Sequence, residues 1–281
     1  MDHIIHHPFE IKIGPLSLTG FGIGVLMAFV IAQIITQREL ARRGHMRESL
    51  AVPDLVFASV LGMLVGGKLY YVLFITHDWH DIFTRAGFVF WGGLMGGVFF
   101  NWLYITRKKF SFARFADVAG PAIAAAYSVG RTGCWAVGDD YGHPWTSRFA
   151  VAFPQGSPPS TAGIMSQMFG TPIPPGATPD TVLAVHPTQL YETGMALVMF
   201  LILWRFRDHE HAQGWLFGMY CVMAGLERFI VEFFRAKDDR FFGPLTAAQL
   251  IGLAVAAVGV IVMIARSKPG PGRPGIREVA A

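Results

Sequence analysis

The sequence predicts an all-α integral membrane protein with about seven transmembrane helices. Its 281 residues are 53% hydrophobic and only 15% charged, whereas soluble domains carry about 25% charged residues. The apolar residues collect in runs of roughly twenty, long enough to cross about 30 Å of hydrocarbon. The two cysteines, Cys134 and Cys221, both lie inside apolar runs, which excludes a disulfide framework and a cysteine-based zinc site.

The apolar runs predict seven spans whose limits are accurate to a few residues. They cover residues 16–36, 52–75, 86–106, 115–137, 189–204, 214–234 and 245–265. The fifth span is short and begins with polar residues. Together the spans predict one transmembrane domain over residues 1–265, followed by a basic cytoplasmic tail at 266–281 whose proline and glycine content indicates disorder.

Lysine and arginine are distributed unevenly over the predicted loops. The loops after the first, third, fifth and seventh spans contain 14 of them, and the opposite side contains 6. The positive-inside rule therefore predicts the N-terminus outside and the C-terminus in the cytoplasm. The net charge of +4 reflects this anchoring, and no basic and aromatic pattern typical of nucleic-acid binding is present.

The connection between the fourth and fifth spans, residues 138–186, is the one long loop and is rich in proline and glycine. The predicted orientation makes it extracytoplasmic. It cannot hold regular structure throughout, and loops of this length are usually functional or mobile.

Several charged residues lie within the predicted spans, where a charge at the centre costs roughly 2.5–3.5 kcal/mol on insertion scales. The residues Lys68, Arg131, Glu192, Arg228 and Glu232 all fall within about 10 Å of the predicted outer face at 1.5 Å per residue. Unrelated structural charges are not expected to share one depth. The pattern indicates a polar cavity that opens toward the outer leaflet.

The sixth span ends in a charged stripe. Arg228, Glu232 and Arg235 are spaced i, i+4 and i+7 and therefore predict one helix face. A carboxylate between two guanidiniums leaves a net positive site for one phosphate, which arginine binds in a bidentate way. The alternative for Arg228 and Glu232 is an interhelical salt bridge that only stabilises the bundle. Glu227 points elsewhere, which favours a structural role.

Polar groups also gather where the fifth span opens. His186 and Glu192 have side chains that serve as acid or base, and Gln189 and Tyr191 have side chains that donate hydrogen bonds. Two other features favour packing instead. Gly92 and Gly93 belong to a small-residue helix face, and Cys134 is typical of a small buried hydrophobe.

Together these segments resemble the bacterial prolipoprotein diacylglyceryl transferase family over about residues 14–265. The matching residues are 66–74, Gly92 to Leu94, Gly130, Arg131, Gly133, 186–192, 228–235 and Gln249 with Leu250. The His-Pro-Thr-Gln-Leu-Tyr-Glu segment and the arginine-to-arginine segment, in that order, are specific signals. The glycine motifs alone are weak ones.

The resemblance implies seven spans in the bacterial cytoplasmic (inner) membrane, in agreement with the independent count. It also implies a transferase activity. Enzymes of this family move the diacylglyceryl group of phosphatidylglycerol onto the thiol of the lipobox cysteine in a prolipoprotein signal peptide, the first step of lipoprotein maturation. The implied partners are these two substrates and membrane lipid, and neither a metal nor an organic cofactor is implied.

Roles carry over onto matching residues. Arg131 resembles the phosphatidylglycerol headgroup contact, and Arg228 matches the essential arginine of the sixth span, with Glu232 fixing it. Further candidates for substrate binding are Arg235, Gly92, Gly93, Gln189 and Tyr191.

The sequence departs from the family at four positions. Trp91 replaces a usual histidine, Phe21 a tyrosine, Cys134 an asparagine and Asp139 a glutamate. Without that histidine, the candidates to take the thiol proton are Asp139, His186 and Glu192. There are two alternatives. Either that histidine is not the base in the family, or this chain is a divergent paralogue that uses another lipid or acceptor.

Two other functions compete with this one. A phospholipid headgroup or acyl transferase with a small-molecule acceptor would use similar residues. An anion or lipid transporter predicts charges in both halves of the membrane, whereas those found cluster in the outer half, with Asp117 as the exception.

Overall fold

The computed structural model describes residues 3–13, 16–84, 87–236, 240–242 and 244–268, and the chain in these ranges is mostly helical. The helices are α1 Gly20–Arg42, α2 Met46–Leu50, α3 Val52–Tyr71, α4 Phe90–Arg107, α5 Phe112–Val137, α6 Ala162–Phe169, α7 Thr188–Arg205, α8 Trp215–Val231 and α9 Ala247–Ala265. A π-helical turn, Val72–Thr76, and a 3-10 turn, Trp79–Phe83, follow α3.

The strands are short. They are β1 Ile4–Ile5, β2 Glu10–Ile13, β3 Leu16–Thr19, β4 Val151–Ala152, β5 Ala184–Val185, β6 Arg240–Phe242 and β7 Leu245–Thr246. They form a three-stranded sheet in the order β1-β4-β5 and two antiparallel pairs, β2-β3 and β6-β7.

Each of the seven predicted spans overlaps one of the long helices. The largest difference is at α1, which begins four residues and ends six residues later than predicted, and α4 begins four residues later. Residues 16–19 form β3, which pairs with β2 in a register that joins Glu10 to Thr19. These two segments alternate polar and apolar residues, and such a period of two is typical of strands. Helix α8 ends at Val231, three residues before the predicted limit of 234, so the helix face predicted for Arg228, Glu232 and Arg235 does not continue to Arg235.

Among the described residues, three helical segments are long and apolar enough to cross a membrane: Gly20–Arg42, Val52–Thr76 and Ala247–Ala265. Large apolar side chains such as Phe57 and Ile261 are exposed on them. Water would disfavour so many exposed apolar side chains, whereas lipid covers them without penalty. The chain is therefore a helical membrane protein.

The chain forms two compact units, Gln33–Val118 and the combination of Met1–Ala32 with Ala119–Ala281. In the unit Gln33–Val118, α3 and α4 pack through glycines. A Cβ atom at Gly66 or Gly92 would collide with the backbone of the facing helix, and Gly93 lies against Met63. The small-residue face predicted for Gly92 and Gly93 is therefore a helix contact.

Lys68, also in the unit Gln33–Val118, binds a backbone segment. Its Nζ donates to the carbonyl oxygens of Asp81 at 3.1 Å and Thr84 at 2.6 Å. The ammonium also lies over the rings of Tyr71 and Phe88. The sequence placed Lys68 in a polar cavity, but its charge is used to hold the 3-10 turn.

In the other unit, α5, α7 and α8 pack around an apolar core that includes Ala124, Met199, Leu203 and Leu216. The predicted loop, residues 138–186, folds over a second core. Phe153, Met165 and Val185 are buried there, and β1 pairs with β4, so the N-terminal segment completes this sheet.

Some predictions fall on residues outside these ranges. They are the charges of Arg85 and Lys237 used for the orientation, and positions 269–281 of the predicted tail.

Candidate active site

Three chain segments meet where α5 ends, α7 begins and α8 ends, and Gly142 is their meeting point. Its N–H donates to the carbonyl of His186 at 2.8 Å, and it pairs with Arg235 in an antiparallel bridge. A Cβ at this position would collide with the Phe234 carbonyl and come within 2.8 Å of the His186 Cβ. Only glycine permits this approach, which brings distant polar side chains together.

Arg131, on α5, is held between two carboxylates. Its Nε forms an ion pair with Oε2 of Glu192 on α7, and its Nη1 donates to Oδ2 of Asp140 at 2.9 Å. Arg131 and Glu192 are both buried, whereas the Asp140 side chain is 44% exposed.

Arg235 shares both of these carboxylates. Its Nη2 lies 3.0 Å from Oδ1 of Asp140, and its Nη1 lies 3.6 Å from Oε1 of Glu192. Asp140 and Glu192 therefore each bridge Arg131 and Arg235, although the two arginines are far apart in sequence. Each contact uses one carboxylate oxygen, and hydrogen bonds between ionised groups are stronger than those between neutral groups.

Arg228 joins the same network through Glu232. Its Nη2 lies 2.6 Å from Oε2 of Glu232, which in turn lies 3.8 Å from Nε of Arg235. The Glu232 side chain is buried, but 33% of the Arg228 side chain is exposed. In the described part of the chain, Arg228 has no other ion-pair partner, and a third of its side chain is accessible to solvent or lipid.

We call this set the guanidinium network; it consists of Arg131, Arg228, Arg235, Asp140, Glu192 and Glu232. It corrects two predictions. Arg235 lies beyond the end of α8, so the predicted stripe along one helix face does not reach it. The expected net positive charge was also wrong, because Asp140 and Glu192, together with Glu232, balance the three guanidiniums.

Asp140 was missed as a site residue, although the sequence carries a signal in the paired Asp139 and Asp140 after Gly138. Gly138 and Asp140 both adopt positive φ, 72° and 56°. This tight exit from α5 turns the Asp140 carboxylate back toward Arg131. Burial opposes its ionisation, but Arg235 and Arg131 hold the pKa of Asp140 below its ordinary value.

The Gln189 side chain contacts the backbone of the loop that leaves α5 at Asp139. The Gln189 amide donates to the Asp139 carbonyl, and the Thr188 hydroxyl donates to the Asp140 carbonyl at 2.6 Å. Gln189 is fully buried, so its side-chain amide holds the exit loop of α5. Burial, and then the negative charge of Asp140, raise the pKa of Asp139 to about 6.

His186 belongs to an aromatic cluster. Its Nδ1 lies 3.1 Å from the Tyr191 hydroxyl, and its ring stacks on Trp145 at 4.3 Å and packs edge-on against Phe234. Burial, and then the neighbouring His143, lower the pKa of His186. Of the predicted site residues, His186 and Tyr191 are thus brought together with each other.

Cys134 lies beside the network. It is buried, and its sulfur accepts a hydrogen bond from Nη1 of Arg131 at 3.4 Å. Cys134, Asp139 and Asp140 also have potential metal-ligand atoms within 4.8 Å of one another. Arg131 donates to both Cys134 and Asp140. Its guanidinium therefore already supplies a positive charge to these potential metal ligands.

Gly92 and Gly93 lie in the unit Gln33–Val118, where their contacts are with α3. Trp91, at the position of the family's usual histidine, is 45% exposed and packs edge-on against Phe90. A role for the two glycines in substrate binding stays a prediction.

Sequence reasoning also treated Glu227 as structural. It lies on α8, buried, where the Tyr127 hydroxyl of α5 donates to its Oε1 over 3.4 Å. Its neighbours include Glu192, Arg228 and Arg131. The pairing of Tyr127 with Glu227 crosses two helices 100 positions apart, so no sequence spacing reveals it.

Comparison of the sequence with known proteins shows the family of this chain. The sequence profile of the family described as prolipoprotein diacylglyceryl transferase matches residues 8–265. The phosphatidylglycerol–prolipoprotein diacylglyceryl transferase of Geobacter sulfurreducens is 30% identical over 278 residues, which cover 94% of this chain and 97% of the relative.

Two further relatives carry the same name. The Bordetella avium protein is 30% identical over 254 residues, 87% of each chain. The Nitratidesulfovibrio vulgaris protein is 29% identical over 269 residues, 92% of each chain. The similarity therefore extends over nearly the whole length, and the chain belongs to the prolipoprotein diacylglyceryl transferase family.

Proposed function

We propose that this chain is a multi-pass enzyme of the bacterial cytoplasmic membrane. It transfers the diacylglyceryl group of phosphatidylglycerol to the lipobox cysteine thiol of a prolipoprotein, the first step of lipoprotein maturation. Family membership and the shared name of the relatives support this activity. They do not favour a transporter or a different lipid transferase.

The proposed topology has seven spans, with the N-terminus outside and the C-terminus in the cytoplasm. It is supported by the long helices at all seven predicted positions and by the excess of lysine and arginine on one side. In this orientation the guanidinium network lies toward the extracytoplasmic face, because it joins the end of α5, the start of α7 and the end of α8.

The observation that carries the proposal is the connection of three guanidiniums through shared carboxylates. Asp140 spans Arg131 and Arg235 with one oxygen on each, at 2.9 and 3.0 Å. Two non-bridging oxygens of a phosphodiester present a similar fork to a pair of arginines. The exposed Asp140 side chain therefore occupies a position that the lipid phosphate takes when Asp140 moves aside.

Arg228 is the second element of the proposed phosphate site. Buried Glu232 fixes one edge of its guanidinium at 2.6 Å, while a third of the side chain stays exposed. A guanidinium held on one edge and open on the other is preorganised for an incoming anion. Glu192 serves the same purpose for Arg131 and Arg235, since each of its oxygens pairs with one of them.

The chemistry follows from this arrangement. The sulfur of the deprotonated cysteine forms a bond to the terminal glyceryl carbon, and the bond from that carbon to the phosphate oxygen breaks. Glycerol phosphate leaves with the electron pair and one additional negative charge. Donors positioned where charge develops lower the barrier, which is the role proposed for Arg228 and, once Asp140 has moved, Arg131.

The sequence predicts three candidates for the group that accepts the proton of the lipobox thiol: Asp139, His186 and Glu192. Both oxygens of Glu192 are in ion pairs with arginines, so its proposed role is to hold guanidiniums. Asp139 and His186 remain candidates for proton transfer at the aqueous edge of the site.

The test is complementation of a bacterium depleted of its own transferase, together with an in vitro assay of thioether formation on a lipobox peptide. We expect rescue by the parent chain and none by Arg228→Ala or Arg131→Ala, with equal membrane levels of all three proteins. A folded parent that forms no thioether with phosphatidylglycerol would refute the proposed function.

A further inference from the structure

Glu227 is a buried acidic residue without a cationic partner. Only 7% of its surface is exposed, and it forms no ion pair within the described ranges of the chain. Its hydrogen bond from the Tyr127 hydroxyl, at 3.4 Å, is long, since such bonds are usually 2.5–3.0 Å. The phenol therefore compensates little of the penalty for burying this carboxylate.

The acidic residues of the guanidinium network differ in this respect, because each pairs with at least one arginine. The titratable and charged groups that face Glu227 are Tyr127 and Arg131 from α5, Glu192 from α7, and Tyr220 and Arg228 from α8. An uncompensated buried ion costs several kcal/mol. A carboxylate kept in such a place is a candidate for proton transfer.

Its depth fits the reaction. Tyr127 lies four residues, about 6 Å, before Arg131 on α5. Glu227 directly precedes Arg228 on α8 and lies five residues, about 7.5 Å, before Glu232, the carboxylate that holds the Arg228 guanidinium. In the proposed orientation Tyr127 and Glu227 are on the side of the bilayer centre. Asp139 and His186 lie beyond the helix ends, on the aqueous side.

A bound phosphatidylglycerol molecule has its acyl chains toward the bilayer centre. The glyceryl carbon under attack is therefore deeper than the phosphate. In a displacement at a saturated carbon, the sulfur approaches from the side opposite the leaving oxygen. The sulfur is therefore deeper in the bilayer than the glyceryl carbon. The level of Glu227 is thus that of the thiol, whereas Asp139 and His186 are on the far side of the phosphate.

We propose that Glu227 is the proton acceptor for the lipobox thiol, an inference that rests on the proposed function. The S–H proton passes to a Glu227 carboxylate oxygen, the sulfur bonds to the glyceryl carbon, and the carbon–oxygen bond to the phosphate breaks. The proton then leaves Glu227 for the departing glycerol phosphate or water. Tyr127 positions the carboxylate through its hydrogen bond and transfers no proton.

The test compares the parent with Glu227→Gln in thioether formation on a lipobox peptide from pH 6 to 9. Loss of a general base reduces kcat by about 100-fold or more. A free thiol has a pKa of about 8.5, so solution supplies the thiolate as the pH rises. We expect the defect of E227Q to be largest at pH 6 and to shrink about tenfold per pH unit toward pH 8.5, with the KM for phosphatidylglycerol changed less than about twofold.

Two controls keep the inference falsifiable. Cys221→Ala on the same helix should retain activity within about twofold, and Y127F should lower kcat about fivefold without changing KM. If E227Q does not fold, the pH profiles of the parent and of two other variants decide. A parent kcat/KM that rises tenfold per unit up to pH 8.5 means that the enzyme supplies no base and overturns the inference. A level parent profile below pH 8 that is retained in both Asp139→Asn and His186→Gln supports Glu227, and one that is lost in either variant assigns the base to that residue instead.

The inference is overturned if E227Q stays within threefold of the parent at every pH, or if its defect is the same at pH 6 and pH 9. In both cases an active parent leaves the proposed function intact. A folded parent without transferase activity removes the proposed function, and this inference with it.

Discussion

Glu192→Gln tests whether the guanidinium network holds the helices together. The Glu192 side chain is 1% exposed and pairs with Arg131 through one oxygen and with Arg235 through the other. The glutamine preserves the shape of the side chain but removes its charge, which leaves the buried Arg131 with Asp140 alone. Breaking a buried ion pair on one side typically costs 3–5 kcal/mol.

The corresponding loss of thermal stability is large enough to measure. For chains of 150–250 residues, 1 kcal/mol shifts Tm by about 2–4 °C, so E192Q should lower Tm by about 6–20 °C. We would follow unfolding of the detergent-solubilised protein by circular dichroism or by reactivity of buried thiols. Asp208→Asn is the matched control, because its contact with Arg207 is 3.7 Å long and partly exposed, and surface pairs contribute about 0–1 kcal/mol.

A fall in Tm of less than 2 °C for E192Q would refute this reasoning, since the charge would then contribute little to the fold. A fall that D208N matches would refute it as well, because removal of a carboxylate would then act through general charge and not through the buried contact.

Three further predictions concern the loop that leaves α5. Asp140→Asn should lower the KM for phosphatidylglycerol about fivefold, because the competing anion between two guanidiniums is removed; an unchanged or raised KM in a lipid titration would contradict it. Gly142→Ala should abolish activity and reduce the yield of folded protein, because the added Cβ collides with the Phe234 carbonyl, and normal yield with normal activity would argue against that contact. Asp139→Asn should be more stable than the parent by about 2 kcal/mol at pH 8 and equal to it at pH 4. A pKa of about 6 in the fold, above the unfolded value, stabilises the folded state below the unfolded pKa and loses that contribution as the pH rises through 6; melting curves with the same difference at both pH values would exclude this shift.

Much of the secondary structure could be predicted from the sequence. Helices such as α3 and α9 are continuous apolar runs, and their limits, Val52–Tyr71 and Ala247–Ala265, lie close to the predicted ones because hydropathy is a property of local composition. The hairpin of β2 and β3 was missed because residues 16–19 were joined to the apolar run that follows. The folded loop at 138–186 was missed because its strands pair with residues distant in sequence.

Some contacts of the site could be predicted from the sequence, and others could not. Arg228 and Glu232 form the contact expected from their i, i+4 spacing, since helical geometry alone determines it. Arg235 was wrongly placed on the helix: α8 ends at Val231, and Arg235 pairs with Gly142, a residue 93 positions away, in an antiparallel bridge that spacing along the chain does not reveal. The charge balance was wrong because Asp140 and Glu192 reach the arginines from other segments.

The sequence by itself determined the membrane character, the helix positions and the family, because each follows from local composition or from motifs read along the chain. Only the tertiary structure decided which carboxylate meets which guanidinium. Asp140 lies between Arg131 and Arg235, and Tyr127 lies against Glu227, through contacts made across helices. Such pairings depend on how helix ends and turns are packed, and the packing brings together residues whose separation along the chain carries no information about their distance.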